Sequence, residues 1–452
     1  MTTDSARVRP LKRILGVAFG LAMAFGGTVG VGILRLPGTL AAALGDTRLI
    51  LLFWVLGGVY ALLGATAVAE LAAMFPAAGG FYVYARRAFG DAGGFVIGWS
   101  DWINNVAALA YGSITAATFL GALWVPAAAH PETTALAILA LFTAFHWVGL
   151  RFGSVVTATV CVAVGIMLLG VVVSCFLVAP LPASQAAAPA ASAAGLPLYS
   201  LAMVAVVVTA LRAVLVTFDG WYSPIYVAEE STNPERTLPR AIVGGALLVA
   251  VLYLIINVAF LRVLPLPVLA ASQLPAADAA RVVLPHGGAE LVTVISLFTL
   301  LSLLNAILIM TPRILLAIGR DGFFTRHAAA VSTSGTPRVA LALSSTIAAV
   351  LILSGTFDQI VALAAVLFVF NYISAYAAVF VLRRREPGLP RPYRAIGYPV
   401  TTAVVLAGSV LFLIAAISED HRSGLIAGGL LVACIPAYAF VKRRLRHAGE
   451  SR

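Results

Sequence analysis

A chain of 452 residues that is 61% hydrophobic and only 10% charged, with a mean hydropathy of +1.02, falls well short of the roughly 25% charge typical of soluble domains. Its length would suit about three globular units at roughly 150 residues each, but the charge to solvate three surfaces is missing, so most of the chain has lipid as its solvent. The net charge of +11 is scattered over several short segments rather than gathered on one face, which excludes nucleic acid as a partner.

A polar N-terminal tail, 1–13, precedes twelve apolar runs, each long enough to cross a hydrocarbon core that takes about 20 helical residues. They cover 14–43, 49–75, 93–125, 133–150, 154–179, 200–228, 240–264, 289–318, 338–354, 358–382, 399–417 and 423–441, and a basic tail, 442–452, ends the chain. The first run is too long and too broken by glycine for a cleavable signal peptide. With both termini in the cytoplasm, the outer loops hold only Arg48, Arg262, Arg281 and Arg422, while Arg35, Arg212 and Arg313 lie inside spans; every other Lys and Arg is on the inner side. The positive-inside rule therefore predicts a multi-pass protein of a bacterial cytoplasmic (inner) membrane, with both termini cytoplasmic. Cys161, Cys175 and Cys434 all fall in apolar runs, so neither a disulfide framework nor metal-ligand spacing is present, and no cofactor is expected.

Two spans depart from plain lipid-soluble helix. Span one contains Gly26-Gly27-Thr28-Val29-Gly30-Val31-Gly32-Ile33, with Pro37-Gly38 a turn later. Glycine costs about 1 kcal/mol relative to alanine inside a helix, so the cluster predicts a break; close packing through small residues is the other reading. Span six contains Thr217-Phe218-Asp219-Gly220-Trp221-Tyr222-Ser223-Pro224. An ionised Asp at mid-membrane costs roughly 2.5 to 3.5 kcal/mol and marks a polar cavity or an ion path, although Asp219 could also cap a broken half-helix.

Five crossings separate the two interrupted spans, so the second enters the membrane from the opposite side. That spacing predicts an inverted repeat, 14–179 against 200–383, with 399–441 appended. Interrupted segments at matching positions of two such halves point to a transporter binding site. A broken helix exposes N–H groups at one end and C=O groups at the other; the first favour a carboxylate, the second an ammonium. A zwitterionic amino acid fits both poles.

Four segments carry a resemblance to the amino acid, polyamine and organocation transporter superfamily, in its L-amino-acid-transporter-like branch. They are Gly30-Val31-Gly32-Ile33 with Pro37; Ala69-Glu70-Leu71 through Pro76 to Gly79-Gly80; Phe218-Asp219-Gly220-Trp221 with Glu229-Glu230; and Asn305 with Pro312-Arg313 and Arg320-Asp321-Gly322. The resemblance implies an all-α integral membrane fold of twelve helices, a five-plus-five inverted repeat with helices one and six broken, and amino acid transport by alternating access. It implies a substrate site at Thr28, Gly30, Val31, Gly32, Ile33, Val216, Phe218, Asp219, Gly220 and Trp221. Val31 replaces the family's serine, and Val216 stands where relatives often place an aromatic gate. Some relatives carry a coupling lysine in span five; 154–179 has no Lys or Arg, and alignment puts Val164 at that position.

Candidates for coupling or gating are Glu70, Asp101, Arg212 and Asn305. Glu70 suits a structural tether for the Gly79-Gly80 loop or a proton carrier. Asp101 and Asn105 share one helical face, and Arg212 could meet Glu290 in an outer gate or snorkel to the interface. A proton, a Na⁺ ion near the span-eight hydroxyls Thr293, Ser296, Thr299 and Ser302, or exchange without an ion remain open. A polyamine or cationic amino acid antiporter is the alternative within the same fold. A membrane enzyme would need a convergent nucleophile and base, and His146 is the only histidine near a span's centre. The loop 126–133 has no cysteine for a disulfide-linked heavy subunit. The expected partners are an amino acid and membrane lipid.

Overall fold

The computed structural model describes residues 11, 13–182, 201–333, 335–355 and 357–450. Most of the tail expected at 1–13, residue 200 of the second expected repeat and the last two residues of the basic tail lie outside the described residues. Among those described, every regular element is a helix, and one isolated parallel bridge joins Leu15 to Ser231.

Span one is two helices, α1 (Val17–Thr28) and α2 (Gly32–Leu44), bent by 46° at the glycine cluster. Left-handed Gly45 ends α2, and the Asp46 carboxylate, accepting from the N–H groups of Arg48 and Leu49 at 2.8 and 2.9 Å, starts α3 (Thr47–Met74). Helix α4 (Phe81–Leu123) is longer than the expected third span. It turns at Gly90 (φ 79°, ψ −176°), so its first residues form a separate arm before the span itself. Then come α5 (Val125–Ala129), α6 (Pro131–Val148) and α7 (Leu150–Leu177).

Span six is α8 (Leu201–Thr217), a break, and the start of a 3₁₀ segment, Ser223–Glu230, whose last two residues, Glu229 and Glu230, lie beyond the apolar run. Helix α9 (Pro234–Val263) leads to α10 (Leu266–Ala271) and α11 (Pro275–Val283), two short helices between the seventh and eighth apolar runs. Four long helices complete the chain after α12 (Gly288–Arg320): α13 (Arg338–Leu353), α14 (Phe357–Arg385), α15 (Val400–Glu419) and α16 (His421–Glu450).

Among the described residues nine helices are long and apolar enough to cross a membrane, and the bent pair α1–α2 makes a tenth span. The two remaining expected spans correspond to the shorter apolar stretches 206–217 and 338–353. Broken span one packs against α9, α7 and α12, and α4 runs between α12 and α14. The Leu11 N–H donates to Glu229 Oε1 at 3.3 Å. The Tyr438 ring of α16 lies 5.7 Å from Phe323, close beyond the Arg320–Glu229 ion pair. Both ends of the described chain therefore stand at one face of the bundle.

Candidate substrate site

The two breaks meet. After Thr28 the backbone leaves the helix at Val29 (ψ 100°), and Val31 is the N-cap of α2. The first N–H groups of α2 have no acceptor within their own helix. In span six, Gly220 adopts φ +113°, a conformation side chains rarely reach. A Cβ there would lie 2.0 Å from the Gly27 carbonyl oxygen and 2.9 Å from the Thr28 nitrogen. The Ser223 hydroxyl donates to Gly220 O at 2.6 Å and pins the turn.

Around this contact opens a cavity of about 370 Å³. Its floor is Gly27, Thr28, Gly30, Val31 and Gly32 from span one, with Val216, Thr217, Asp219, Gly220, Tyr222 and Ser223 from span six; α4, α12 and α14 supply the walls. Along α14 the lining runs from Phe357 to Phe368, about 16 Å of helix. Phe357 is the first residue of α14, at the end remote from the chain termini, so the cavity extends toward the face opposite the termini.

Toward the terminal face the path is filled. Phe81 meets Tyr222 with ring centroids 5.0 Å apart, and Tyr226 packs against Gly80, where a Cβ would stand 2.3 Å from the ring. Below them lie ion pairs: Arg313 with Glu230, both buried, at 2.6 Å; Arg320 with Glu229 at 2.6 Å; Arg86 with Asp321 at 2.6 Å. The Tyr82 hydroxyl donates to Asp321 at 2.7 Å. The N–H groups of Ile14 and Leu15 donate to Glu230 O at 2.9 and 3.0 Å, strapping the approach to span one onto the exit of span six.

Residues 18–433 match the family described as amino acid permease. The chain belongs to the amino acid permease family. The permease is 26% identical over 444 residues to the serine/threonine exchanger SteT of Bacillus subtilis, covering 96% of this chain and 98% of that protein. It is 27% identical over 426 residues to the b(0,+)-type amino acid transporter 1 of Mus musculus, covering 90% and 84%. An uncharacterized transporter of Mycobacterium tuberculosis is 30% identical over 321 residues, 71% of this chain and 69% of that one. The activity of the permease is amino acid transport, in a multi-pass membrane protein of the superfamily that its motifs resembled.

Of the residues that the motifs pointed to, Thr28, Gly30, Val31, Gly32, Val216, Asp219 and Gly220 line the cavity of the permease. Ile33, Phe218 and Trp221 do not; they are core. Phe218 packs between Trp54 and Tyr253, at 6.0 and 5.0 Å, and Trp221 stacks on Tyr372 at 5.7 Å with the rings 7° from parallel. Motif position alone could not tell which face of the break each ring takes.

Asp219 Oδ1 accepts from the Tyr372 hydroxyl at 2.6 Å, and the Gly220 N–H also faces it. The carboxylate thus both steadies its own turn and binds span six to α14. Asp101 lies beneath the cavity, fully buried. It accepts from Tyr226 at 2.8 and 2.9 Å and from Asn105 at 3.0 Å, while Asn105 itself lines the cavity.

The loop Gly79-Gly80 is not tethered by Glu70, as the sequence suggested. Glu70 instead pairs with Arg383 at 2.5 Å and Arg391 at 3.4 Å, and accepts from the Ala395 N–H at 2.7 Å, anchoring the segment after α14. Asn305 lies away from the cavity, its Oδ1 2.8 Å from His146 Nε2 and its amide donating to Thr157. Arg212 sits on α8 outside the cavity lining. In span five, one turn before Val164, Cys161 meets α1 and α12: its Sγ lies 3.2 Å from both Ala22 O and Ser302 Oγ.

The walls include Tyr111, Thr115, Leu303, Ile307, Met310, Val361, Ala365 and Phe368, none of which the motifs singled out. Their helical spacing is the signal, but it identifies a shared face only once the neighbouring helices are known.

Proposed function

We propose that this permease is an amino acid exchanger of a cytoplasmic membrane, with both termini cytoplasmic, in a state open to the outside. The observation that carries the reading is the meeting of the two breaks, Gly27 against Gly220, at the floor of a cavity that extends away from the termini. The substrate carboxylate takes the N–H groups of Gly30 and Val31 in the break and of Gly32 at the start of α2, where the helix dipole favours an anion. The ammonium group sits toward the span-six break and Asp219, whose negative charge it complements.

Alternating access then requires the Phe81–Tyr222 contact and the ion pairs below it to open while the outer part of the cavity closes. The resemblance supports division into two inverted halves, 14–179 and 200–383, with 399–441 outside the repeat. The positive-inside rule supports the orientation. Exchange is favoured by the name of the Bacillus subtilis relative, which covers almost the whole chain, and by a span five without lysine.

Reconstitution in liposomes tests the reading. Uptake of labelled amino acid should rise several-fold when the lumen holds an unlabelled amino acid and should change little with a pH or Na⁺ gradient. Uptake that needs either gradient and ignores the internal amino acid would remove the exchange mode. No uptake of any amino acid would remove the site.

A further inference from the structure

A second cavity, a groove of about 610 Å³, lies between α6 and α13 and shares no residue with the cavity at the breaks. Ala140, Ala144 and Trp147 of α6 and Ala342, Ser345 and Ala349 of α13 line it. Each set recurs at three or four residues, so each is a single helix face. On α6 the lining runs from Leu136 to Trp147, about 16 Å of helix, which is half of a hydrocarbon core about 30 Å thick. Ala140 and Ala144 are exposed, as are Leu141, Val148, Val339 and Val350 on the same two helices. In a chain that spans a membrane these residues meet lipid, and the groove is as long as one leaflet is thick.

One end of the groove carries charge. Trp147 is 42% exposed, and the Arg338 guanidinium lies over its ring, 5.5 Å from the centroid. Arg338 stands one turn before Ala342 on the same face of α13, and the first turn of that helix holds no acid. Among the described residues Arg338 makes no ion pair, and its buried Nε has no hydrogen-bond partner. The 3₁₀ turn Arg326–Ala329 packs against α13 and leaves Arg326 exposed. That turn follows α12, whose last residue, Arg320, pairs with Glu229 at the face of the termini. The Thr336 hydroxyl donates to His146 O at 3.0 Å and closes the approach to α13 onto the end of α6. An aromatic ring and a cation therefore stand at headgroup level on that side, and the groove runs from them toward mid-membrane.

We propose that the groove between α6 and α13 holds an anionic phospholipid of the leaflet on the side of the termini, with one acyl chain along Ala140, Ala144, Ala342 and Ala349 and the phosphate at Arg338. No charged side chain lines the groove, and the Thr143 and Ser345 hydroxyls bond to each other at 2.9 Å, so a hydrocarbon chain leaves neither of them unpaired. Lipid tails are as apolar as the groove; its walls supply shape and no preference among lipids. The preference comes from charge. A guanidinium at the membrane surface attracts an anionic headgroup, its terminal nitrogens suit a phosphate, and no carboxylate competes for Arg338. A second copy of this chain would fill the groove but bring no counter-charge to the arginines. The inference rests on the chain spanning a membrane and stands independently of the substrate site.

The test is native mass spectrometry of the unaltered full chain in detergent, offered equal amounts of phosphatidylglycerol and phosphatidylcholine with the same acyl chains. The phosphatidylglycerol-bound population should exceed the phosphatidylcholine-bound one at least about fivefold, the effect of one arginine at an anionic surface. Equal retention overturns the proposal. Arg338→Gln should bring phosphatidylglycerol down to the level of phosphatidylcholine; an unchanged preference overturns the role of Arg338. Ala140→Phe with Ala144→Phe, at exposed positions, should remove the most tightly held lipid; an unchanged number of bound lipids overturns the groove. Release of that lipid by millimolar inorganic phosphate would leave an anion site in place of a lipid site. A lipid-free dimer of the unaltered chain that the two phenylalanines dissociate would make the occupant a second copy, and either result overturns the proposal. Where a variant fails to insert, a photoactivatable phosphatidylglycerol decides with the unaltered chain: it should crosslink to α6 and α13, and crosslinks confined to other helices overturn the assignment.

Discussion

Gly220 stands backbone to backbone against Gly27, so close that a Cβ on Gly220 would fall 2.0 Å from the Gly27 carbonyl oxygen. A side chain here has two obstacles, the positive φ of +113° and the opposing backbone, which cannot swing aside as a flexible side chain would. Gly220→Ala therefore has to push the two breaks apart. We expect its transport to fall by at least about a hundredfold, the effect of losing near-ångström positioning at a reacting or binding centre. Gly428→Ala, on α16 where a Cβ meets nothing within 4 Å, should transport normally. Equal uptake by the two variants in matched liposomes would contradict the contact.

The carboxylate of Asp219 links span six to α14 through the Tyr372 hydroxyl. A hydrogen bond to a charged group contributes about 1.5 to 3 kcal/mol, so Asp219→Asn should reduce uptake by roughly ten- to a hundredfold. Tyr372→Phe should reduce it in the same direction by less, since the ammonium contact survives. The double variant should be no worse than Asp219→Asn alone, because both changes remove one shared interaction. Additive losses would mean that the two residues act separately.

The adjacent acids Glu229 and Glu230 face different environments and should behave differently when altered. Glu230 and Arg313 are both buried; removing one partner strands the other charge, so Glu230→Ala should destabilise the protein by about 3 to 5 kcal/mol. Glu229 and Arg320 are partly exposed, and Glu229→Ala should cost no more than about 1 kcal/mol. Burial alone would raise the Glu229 pKa, but the Arg320 guanidinium and the N–H groups of Leu11 and Ala78 outweigh it and hold the group below the ordinary glutamate value. Its contribution is therefore complete above the ordinary range and is lost as pH falls through the lowered value. Thermal unfolding in detergent between pH 6 and pH 3 should show this as an acid-side loss that Glu229→Gln lacks.

Much of this protein is legible in its sequence because lipid makes few demands and makes them loudly. A span must be apolar, so Asp219, Gly220 and the glycines of span one stand out where they would vanish in a soluble chain. The same simplicity hides the rest. Leu303, Ile307 and Met310 look like any lipid-facing stripe, and only the approach of α14 turns them into a wall. Phe218 and Trp221 sit at the break, yet a turn of one residue sends a ring into the core or into the cavity. The partner of Glu70 proved to be the distant pair Arg383 and Arg391, because a buried carboxylate finds whichever cation the packing of α3 against α14 delivers. Gly90, which divides α4, carries no hydropathy signal at all.

The direction in which the cavity opens can be read with one engineered thiol. Val216 lines the cavity and is 41% exposed, while Cys161 and Cys175 are buried and Cys434 is half-buried, which gives a low labelling background. Reactivity requires access and a thiolate, so Val216→Cys should react with a membrane-impermeant maleimide added to the face opposite the termini. An excess of transported amino acid should slow that reaction severalfold by filling the cavity. A cysteine replacing Tyr226, which is fully buried beneath the cavity, should stay unlabelled from the same face. Labelling of Val216→Cys only from the terminal face would mean that the resting state is open to the cytoplasm, and labelling that ignores substrate would separate this cavity from the path the amino acid takes.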